Sequence, residues 1–243
     1  MKTGLLHARV LASVGTMLWL GLAPLTLGQS PILKDGGNNS EITRGPRGKS
    51  QIALTFDAGA NADCFEDLIV TLAKADVRST FFITGNWAQQ NRGCAKSITT
   101  HGHEVGNHTV NHLNLTRQSN ETIQNELLRA ETILFQISGQ NPRPNWRAPF
   151  GARDDRVLRT ARGIGYRSIY WTLDSLDSVE PLKTAQFLVQ RITGRSNTEL
   201  DGAIILLHVG EKSTVEALPF IIANLHARGF HLVTISKLLH PDY

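Results

Sequence analysis

From residue 51 onward, short apolar runs alternate with longer segments in which apolar residues recur at helical spacing. The short runs predict strands at residues 51–56, 79–83, 104–106, 144–147, 166–170, 203–207 and 231–235. The longer segments predict helices at residues 62–75, 120–137, 154–162, 182–193 and 214–228. This alternation predicts an α/β fold with a mostly parallel sheet, and seven such strand–helix units could close into a barrel.

The first 28 residues have the pattern of an export signal. Lys2 and Arg9 precede an apolar stretch at residues 10–27 that carries no charge. A cleaved signal peptide over residues 1–28 is the leading interpretation. An uncleaved anchor helix is the alternative, because 18 residues lie at the short edge of a membrane span. In either case we expect a secreted, periplasmic or cell-envelope protein.

Residues 29–50 are rich in Gly, Asn, Ser and Pro, which predicts a flexible linker before a folded domain at residues 51–243. The 243-residue chain is 41% hydrophobic and 19% charged, as expected for one globular domain. Its net charge of +4 is mild and no basic run occurs, so nucleic acid is not favoured as a partner. Membrane contact is expected only if the first segment stays uncleaved, and the oligomeric state is left open.

The chain has two cysteines, Cys64 and Cys94. In an exported protein an even pair favours a disulfide, and both residues follow predicted strands in the first part of the domain. Two buried free thiols are the alternative.

Polar residues that could act in catalysis or metal binding lie at or just after the ends of five predicted strands. They are Asp57, the pair His108 and His112, Arg147, the pair Asp174 and Asp177, and His208. In a parallel barrel the carboxyl ends of the strands share one rim, so these groups are expected to converge. If residues 108–112 formed a helical turn, both imidazoles would face the same way and could chelate one divalent ion.

Each of these residues also has an ordinary structural interpretation. Asp57 could be a turn residue, because Asp-Ala-Gly is common in turns. The two histidines could be a surface pair, Arg147 a solvated side chain, and Asp174 or Asp177 a helix cap. His208 follows an apolar run and could be a buried structural histidine. Their combination and order therefore carry more weight than any one of them.

Taken together, five ordered motifs resemble those of the polysaccharide deacetylase family, also called carbohydrate esterase family 4 or the NodB-homology domain. The family motifs are TFDDG, H(S/T)xxH, RxPxG, DxxDW and LxH. The corresponding segments here are TFDAG at 55–59, HTVNH at 108–112, RAPFG at 147–151, DSLDS at 174–178 and LLH at 206–208. The resemblance extends from about residue 51 to residue 239.

The resemblance implies a distorted (β/α) barrel and metal-dependent hydrolysis of N-acetyl groups on sugar polymers. His108 and His112 would hold a divalent metal, with zinc favoured and cobalt, nickel or manganese also suitable. Such a metal could polarise the acetyl carbonyl and activate a water. Asp57 would act as general base, and Arg147 would hold Asp57 in place and keep it ionised.

Three further roles follow from the same resemblance. The backbone N–H of Phe150 would stabilise the oxyanion of the tetrahedral intermediate. His208, charged and oriented by Asp177, would protonate the departing amine. Leu206 would line a small apolar pocket for the acetyl methyl group.

The sequence departs from the family pattern at two positions. Ala58 replaces the second Asp of the first motif, which normally completes the metal site, and Ser178 replaces the Trp of the fourth motif. Asp63 is the nearest acidic substitute and is predicted to move into the coordination sphere; Asn61 is another oxygen donor. The alternatives are a site completed by water, Asp57 acting as a ligand, or no metal. Loss of the Trp predicts a more open sugar cleft.

Three functions therefore compete. The leading hypothesis is an N-deacetylase acting on an extracytoplasmic polysaccharide such as peptidoglycan or a chitin-like chain. An O-acetyl polysaccharide esterase would use the same residues. A catalytically impaired carbohydrate-binding relative is favoured by Ala58 but opposed by the presence of Asp57, Arg147, Asp177 and His208.

Overall fold

A computed structural model describes Met1 and residues 41–240. The predicted export signal and residues 29–40 of the predicted linker lie outside these residues, apart from Met1. Within the described part of the chain, no helix has the length and apolar character needed to span a bilayer.

Parallel strands form the centre of the described fold. They are β1 (Gln51–Ala58), β2 (Thr80–Ile83), β3 (Glu104–Asn107), β4 (Asn145–Trp146), β5 (Arg167–Ser168), β6 (Leu173–Asp174), β7 (Ile204–His208) and β8 (His231–Leu232). The main sheet has the order β5-β4-β3-β2-β1-β7-β6, and β8 pairs with β1. All strand pairs are parallel. The predicted α/β fold, a distorted barrel built on parallel strands, is confirmed.

Helices connect the strands. They are α1 (Phe65–Lys74), α2 (Gly85–Gln90), α3 (Arg92–Thr100), α4 (Asn120–Ser138), α5 (Asp155–Gly163), α6 (Ala185–Thr193), α7 (Asn197–Leu200), α8 (Lys212–Ala227) and α9 (Ile235–Leu239). Five of them overlap the predicted helices. The sequence did not predict α2 and α3. Helix α2 is only six residues long, too short to show apolar periodicity, and α3 buries only Ala95 and Ile98. Thr84 caps α2 by accepting a hydrogen bond from Trp87 N.

The segment at residues 41–45 pairs with two parts of the sheet, beside edge strand β5 and just before β7. Ile42 N donates to Ser168 O at 2.9 Å and Ile42 O accepts from Tyr170 N at 2.7 Å, next to edge strand β5. Arg44 forms an antiparallel bridge with Ala203, just before β7. Residues 41–45 of the predicted linker therefore hydrogen-bond to the sheet, beside β5 and just before β7.

The main core lies between the sheet and its covering helices. β1 is buried from its second residue to its last, which explains why it is a nearly continuous apolar run. The rings of Phe56 and Phe81 stack across β1 and β2 with centroids 5.1 Å apart. In the register of β1 with β7, Asp57 pairs with His208, so one end of the sheet presents both side chains together.

Candidate active site

A cavity of about 480 Å³ opens at the carboxyl ends of the strands. Residues from five strand ends meet there, as the sequence predicts for a parallel barrel. Its lining includes Asp57, His108, His112, Phe150, Asp174, Leu206 and His208. Arg147 and Asp177 lie behind this lining, each fully buried and hydrogen-bonded to a residue that faces the cavity.

Arg147 holds Asp57 in a fixed position. Its Nη1 donates to Asp57 Oδ1 at 2.7 Å, and its Nε donates to Ile169 O at 3.1 Å. The guanidinium also lies 4.2 Å from the ring centre of Phe82. A buried charge pair of this kind is tolerated because the remaining N–H donors of Arg147 are satisfied. Removing one partner of such a pair typically lowers the free energy of unfolding by about 3–5 kcal/mol. Asp57 is thereby held through its Oδ1 atom, which leaves Oδ2 free for other contacts.

The second oxygen of Asp57 lies beside the histidine pair. Asp57 Oδ2 is 3.6 Å from His108 Nε2, and the rings of His108 and His112 are 4.9 Å apart in an edge-to-face arrangement. The helical turn considered for residues 108–112 is not present. Thr109 and His112 have φ of 68° and 56°, so a loop with two left-handed residues brings the imidazoles together.

The hydrogen bonding of His108 suits a metal ligand. Its Nδ1 lies 2.9 Å from the carbonyl oxygen of Arg147, which requires Nδ1 to carry the proton and leaves the Nε2 lone pair free. Burial lowers the pKa of His108, and burial followed by the charge of His108 lowers the pKa of His112 to about 4. Both imidazoles are therefore neutral near pH 7, the form that binds metal.

Glu126 of α4 orders the loop between these two histidines. Its buried carboxylate accepts hydrogen bonds from Val110 N at 3.0 Å and Asn111 N at 2.8 Å, and from the Asn111 side chain. Sequence reasoning missed this residue. The available signal was an acidic residue on an otherwise apolar helix face, between Ile123 and Leu127.

Asp177 and His208 form a second hydrogen-bonded pair. His208 Nδ1 lies 2.7 Å from Asp177 Oδ1, while Asp177 Oδ2 accepts from His208 N at 2.8 Å and from Thr214 Oγ1 at 2.6 Å. Burial alone would lower the pKa of His208, but the hydrogen bond and charge of Asp177 raise it above its ordinary value. The Nε2 edge of His208 then faces the cavity as a potential proton donor.

Two other residues near His208 were not assigned roles by sequence reasoning. Ser178 Oγ lies 3.4 Å from His208 Nε2, at the position where the family has Trp. Glu211 lines the same cavity, and burial followed by the charge of Asp177 raises the pKa of its carboxyl. Polar atoms thus surround the Nε2 edge of His208.

Phe150 and Leu206 lie where the resemblance implies contact with substrate. Phe150 has φ 58°, is 70% exposed, and packs its ring 4.5 Å from that of His112. A non-glycine residue in this conformation is uncommon and is frequently held so at a functional turn. Leu206 is buried and contributes an apolar wall to the cavity.

The donor set fits a metal held by two imidazoles. Among residues 41–240, no group of three His, Cys, Asp or Glu side chains has the arrangement of a complete metal site. Ala58 is fully buried and belongs to the main core, so nothing at that position can bind a metal. Asp63 is exposed and does not line the cavity, and the role given to it, which requires movement, stays a prediction.

The predicted disulfide is not present. Cys64 and Cys94 are both free thiols, and both are half-buried. Cys64 lies at the N-cap of α1 in a left-handed conformation, and Cys94 packs against the main core from α3. Burial raises the pKa of the Cys94 thiol, which favours its protonated form. These two environments correspond to the alternative of free thiols.

The profile of the polysaccharide deacetylase family matches residues 44–169. This chain belongs to the polysaccharide deacetylase family. A peptidoglycan-N-acetylglucosamine deacetylase of Bacillus cereus is 32% identical over 199 residues, covering 80% of this chain and 90% of the relative. The peptidoglycan-N-acetylglucosamine deacetylase PgdA of Listeria monocytogenes is 32% identical over 195 residues, which is 79% of this chain but only 40% of PgdA. The chain thus spans less than half of that relative.

The fold is also similar to that of a solved member without activity. A carbohydrate esterase family 4 pseudoenzyme from Bacillus anthracis is 29% identical with a TM-score of 0.77, covering 83% of this chain and 69% of that chain. A mutant of that pseudoenzyme, described as having restored enzymatic activity, is similar at 30% identity and the same TM-score, covering 83% and 71%. The family therefore contains both active and inactive proteins on this fold.

Proposed function

We propose that this protein is a metal-dependent hydrolase that removes N-acetyl groups from an extracytoplasmic polysaccharide, of peptidoglycan or chitin-like type. The observation that carries the proposal is the pair of buried ionic contacts flanking one cavity. Asp57 is held by Arg147 at 2.7 Å on one side, and His208 by Asp177 at 2.7 Å on the other. An acid and a base, each fixed by a buried partner, are what amide hydrolysis requires.

The residues divide the proton transfers between them. Asp57, held in position by Arg147, takes the proton of the attacking water. The N–H of Phe150 donates to the developing oxyanion, and Leu206 accommodates the acetyl methyl group. His208, whose raised pKa keeps its proton available, gives that proton to the departing amine.

His108 and His112 would hold the divalent metal, with zinc favoured. When bound, it would polarise the acetyl carbonyl and make the attacking water more acidic. The tautomer of His108 set by the Arg147 carbonyl and the neutral state of both imidazoles support this assignment. With Ala58 in place of an acidic ligand, the metal should be held less firmly than in a site of two histidines and a carboxylate.

The names of the relatives support the substrate class and the location. Peptidoglycan deacetylases act on the cell wall, so an extracytoplasmic site of action agrees with the export pattern at residues 1–28.

A binding-only protein is the second candidate. Ala58 and the similarity to a pseudoenzyme favour it. Retention of both ionic pairs favours catalysis instead, because a protein that only binds sugar needs neither an acid nor a base with an orienting partner.

Acetate release separates these candidates. The purified protein is incubated with N-acetylated chitooligosaccharides, peptidoglycan and an O-acetylated xylan, with added zinc, cobalt, nickel or manganese. Release from the N-acetylated substrates supports the proposal. Release from the xylan alone would instead identify an O-acetyl esterase, and sugar binding without any release would identify a binding protein.

A further inference from the structure

A second cavity adjoins the active-site cavity and has a cationic lining. It has a volume of about 420 Å³ and shares Trp171 and Asp174 with the first cavity. Its lining also contains three arginines, Arg44, Arg191 and Arg195. A sugar chain entering the active site could therefore continue past Trp171 directly into this cavity.

The hydrogen bonding of Arg191 and Arg195 leaves guanidinium N–H donors available to a ligand. Arg191 uses its Nε to donate to Asp174 O at 2.6 Å, and within residues 41–240 no acceptor lies in hydrogen-bond reach of its two Nη atoms. Arg195 is 43% exposed, and its nearest carboxylate is Glu199 at 3.6 Å. Two guanidinium groups at the same wall thus present N–H donors to the cavity.

Arg44 completes the wall from the segment at residues 41–45. Its Nη1 donates to the carbonyl oxygens of Glu199 and Asp201 at 2.7 and 2.8 Å. This bond pattern gives Arg44 a structural role. Burial, followed by the charge of Arg47, lowers the pKa of Arg44, while the nearby charges of Asp201 and Glu199 raise it.

The two carboxylates of this cavity are already engaged. Glu199 Oε2 accepts from Ser196 N and Ser196 Oγ at 2.9 Å each, forming the capping box of α7. Asp174 Oδ1 accepts from Leu176 N at 2.8 Å. Glu199 also pairs with Arg195, so within residues 41–240 Arg191 is the arginine of this cavity that lacks a carboxylate partner. Its charge suits an anionic ligand better than a neutral sugar.

We propose that Arg191, with Arg195 beside it, forms a subsite that binds a carboxylate substituent of the glycan next to the sugar being deacetylated. A guanidinium fork matches a carboxylate and can bind it through two hydrogen bonds. The subsite rests on the proposed function for its glycan ligand and narrows the substrate to a carboxylate-bearing chain. A lactyl ether and a uronic acid both carry this group.

Binding calorimetry at low ionic strength tests the subsite without any need for turnover. The ligands are N-acetylated chitotetraose, the same tetrasaccharide with lactyl ether carboxylates on alternate sugars, and one with C6 carboxylates. We expect wild-type protein to bind a carboxylated ligand at least about tenfold more tightly than the neutral one, the effect of one charge-assisted contact. Which carboxylated ligand binds tightly identifies the source of the carboxylate.

The variant Arg191→Gln/Arg195→Gln should lose this preference and retain its affinity for neutral chitotetraose. Arg195→Gln alone, at an exposed position, gives a partial loss and serves if the double variant does not fold. Arg159→Gln, an exposed arginine of α5, is the matched control and should behave as wild type. Equal binding of all three ligands, no binding of any, or equal losses in the control would overturn the proposal.

Acetate release from neutral chitotetraose is measured separately. A carboxylate preference without acetate release would keep the subsite and reject the proposed enzyme. Acetate release without a carboxylate preference would do the opposite.

Discussion

The two sides of the active-site cavity differ in how many of the side chains expected from the family motifs they contain. On the proton-transfer side, Asp57 and His208 each have a buried, hydrogen-bonded partner at 2.7 Å. On the metal side, His108 and His112 lie on a loop and lack the second acidic residue of the family's first motif, because Ala58 occupies its position. In the proposed active site, the acid and the base thus keep their buried partners while the metal-binding part lacks one ligand.

The largest effect is expected on the proton-transfer side. Asp57→Asn preserves shape but removes the general base, so acetate release should fall by about 10²–10⁴-fold. Steady-state rates on chitotetraose measure this. The exposed residue Asp155 provides the control Asp155→Asn, which should leave the rate unchanged. A rate for Asp57→Asn within threefold of wild type would show that the base lies elsewhere.

A smaller effect is expected where Glu126 orders the histidine loop. Glu126→Ala removes the acceptor of two backbone N–H groups and should weaken zinc binding by about 10–100-fold, as for other residues that orient metal ligands. Competition with a chromogenic chelator measures the affinity, and Glu126→Gln should give an intermediate value.

Glu121→Ala is the matched control for Glu126. Glu121 lies on the same helix but is exposed in its first turn. Equal zinc affinities for Glu126→Ala and wild type would mean that the loop keeps its conformation without the carboxylate.

Restoring the family's acidic residue at position 58 should add a carboxylate ligand to the two histidines. Ala58→Asp is expected to tighten zinc binding by about tenfold or more, corresponding to at least 1.4 kcal/mol. The same chelator competition measures it. Unchanged affinity in a folded variant would show that a carboxylate at this buried position does not reach the histidines, and that another group completes the site.

The smallest effect is a displacement of the pH profile. His208 must be protonated to donate, so activity should decline as pH rises through its raised pKa, and therefore above the ordinary value of 6.5. Asp177→Asn removes the charge that raises this pKa and should move the basic limb to lower pH by about one unit. A limb that stays in place in the variant would assign it to a group other than His208.

The sequence predicted the strand ends better than the loops between them. Apolar runs mark β1 and β7 because both are buried, and polar residues directly after them mark the rim. The two-residue strand β6 has no periodicity to detect. The convergence of the histidines depends on left-handed residues at Thr109 and His112, which are not glycines and so give no local signal.

Other features depend on contacts between distant segments. Residues 41–45 lie at the end of a segment rich in Gly, Asn, Ser and Pro, and their place in the fold comes from bridges to Ile169 and Ala203. Glu126 acts through a loop 15 residues or more away in sequence. Neither contact follows from local propensity, because both satisfy backbone groups of another segment.

The metal dependence of acetate release tests most directly whether the reduced metal side still supports catalysis. Acetate release from N-acetylated chitotetraose is followed in protein as purified, after chelation, and after zinc is returned. The proposed acid–base pair beside a two-histidine site predicts acetate release that chelation abolishes and added zinc restores. The wild-type protein should need a higher concentration of free zinc for this recovery than Ala58→Asp does. No release at any concentration of zinc, cobalt, nickel or manganese would contradict the proposed enzyme.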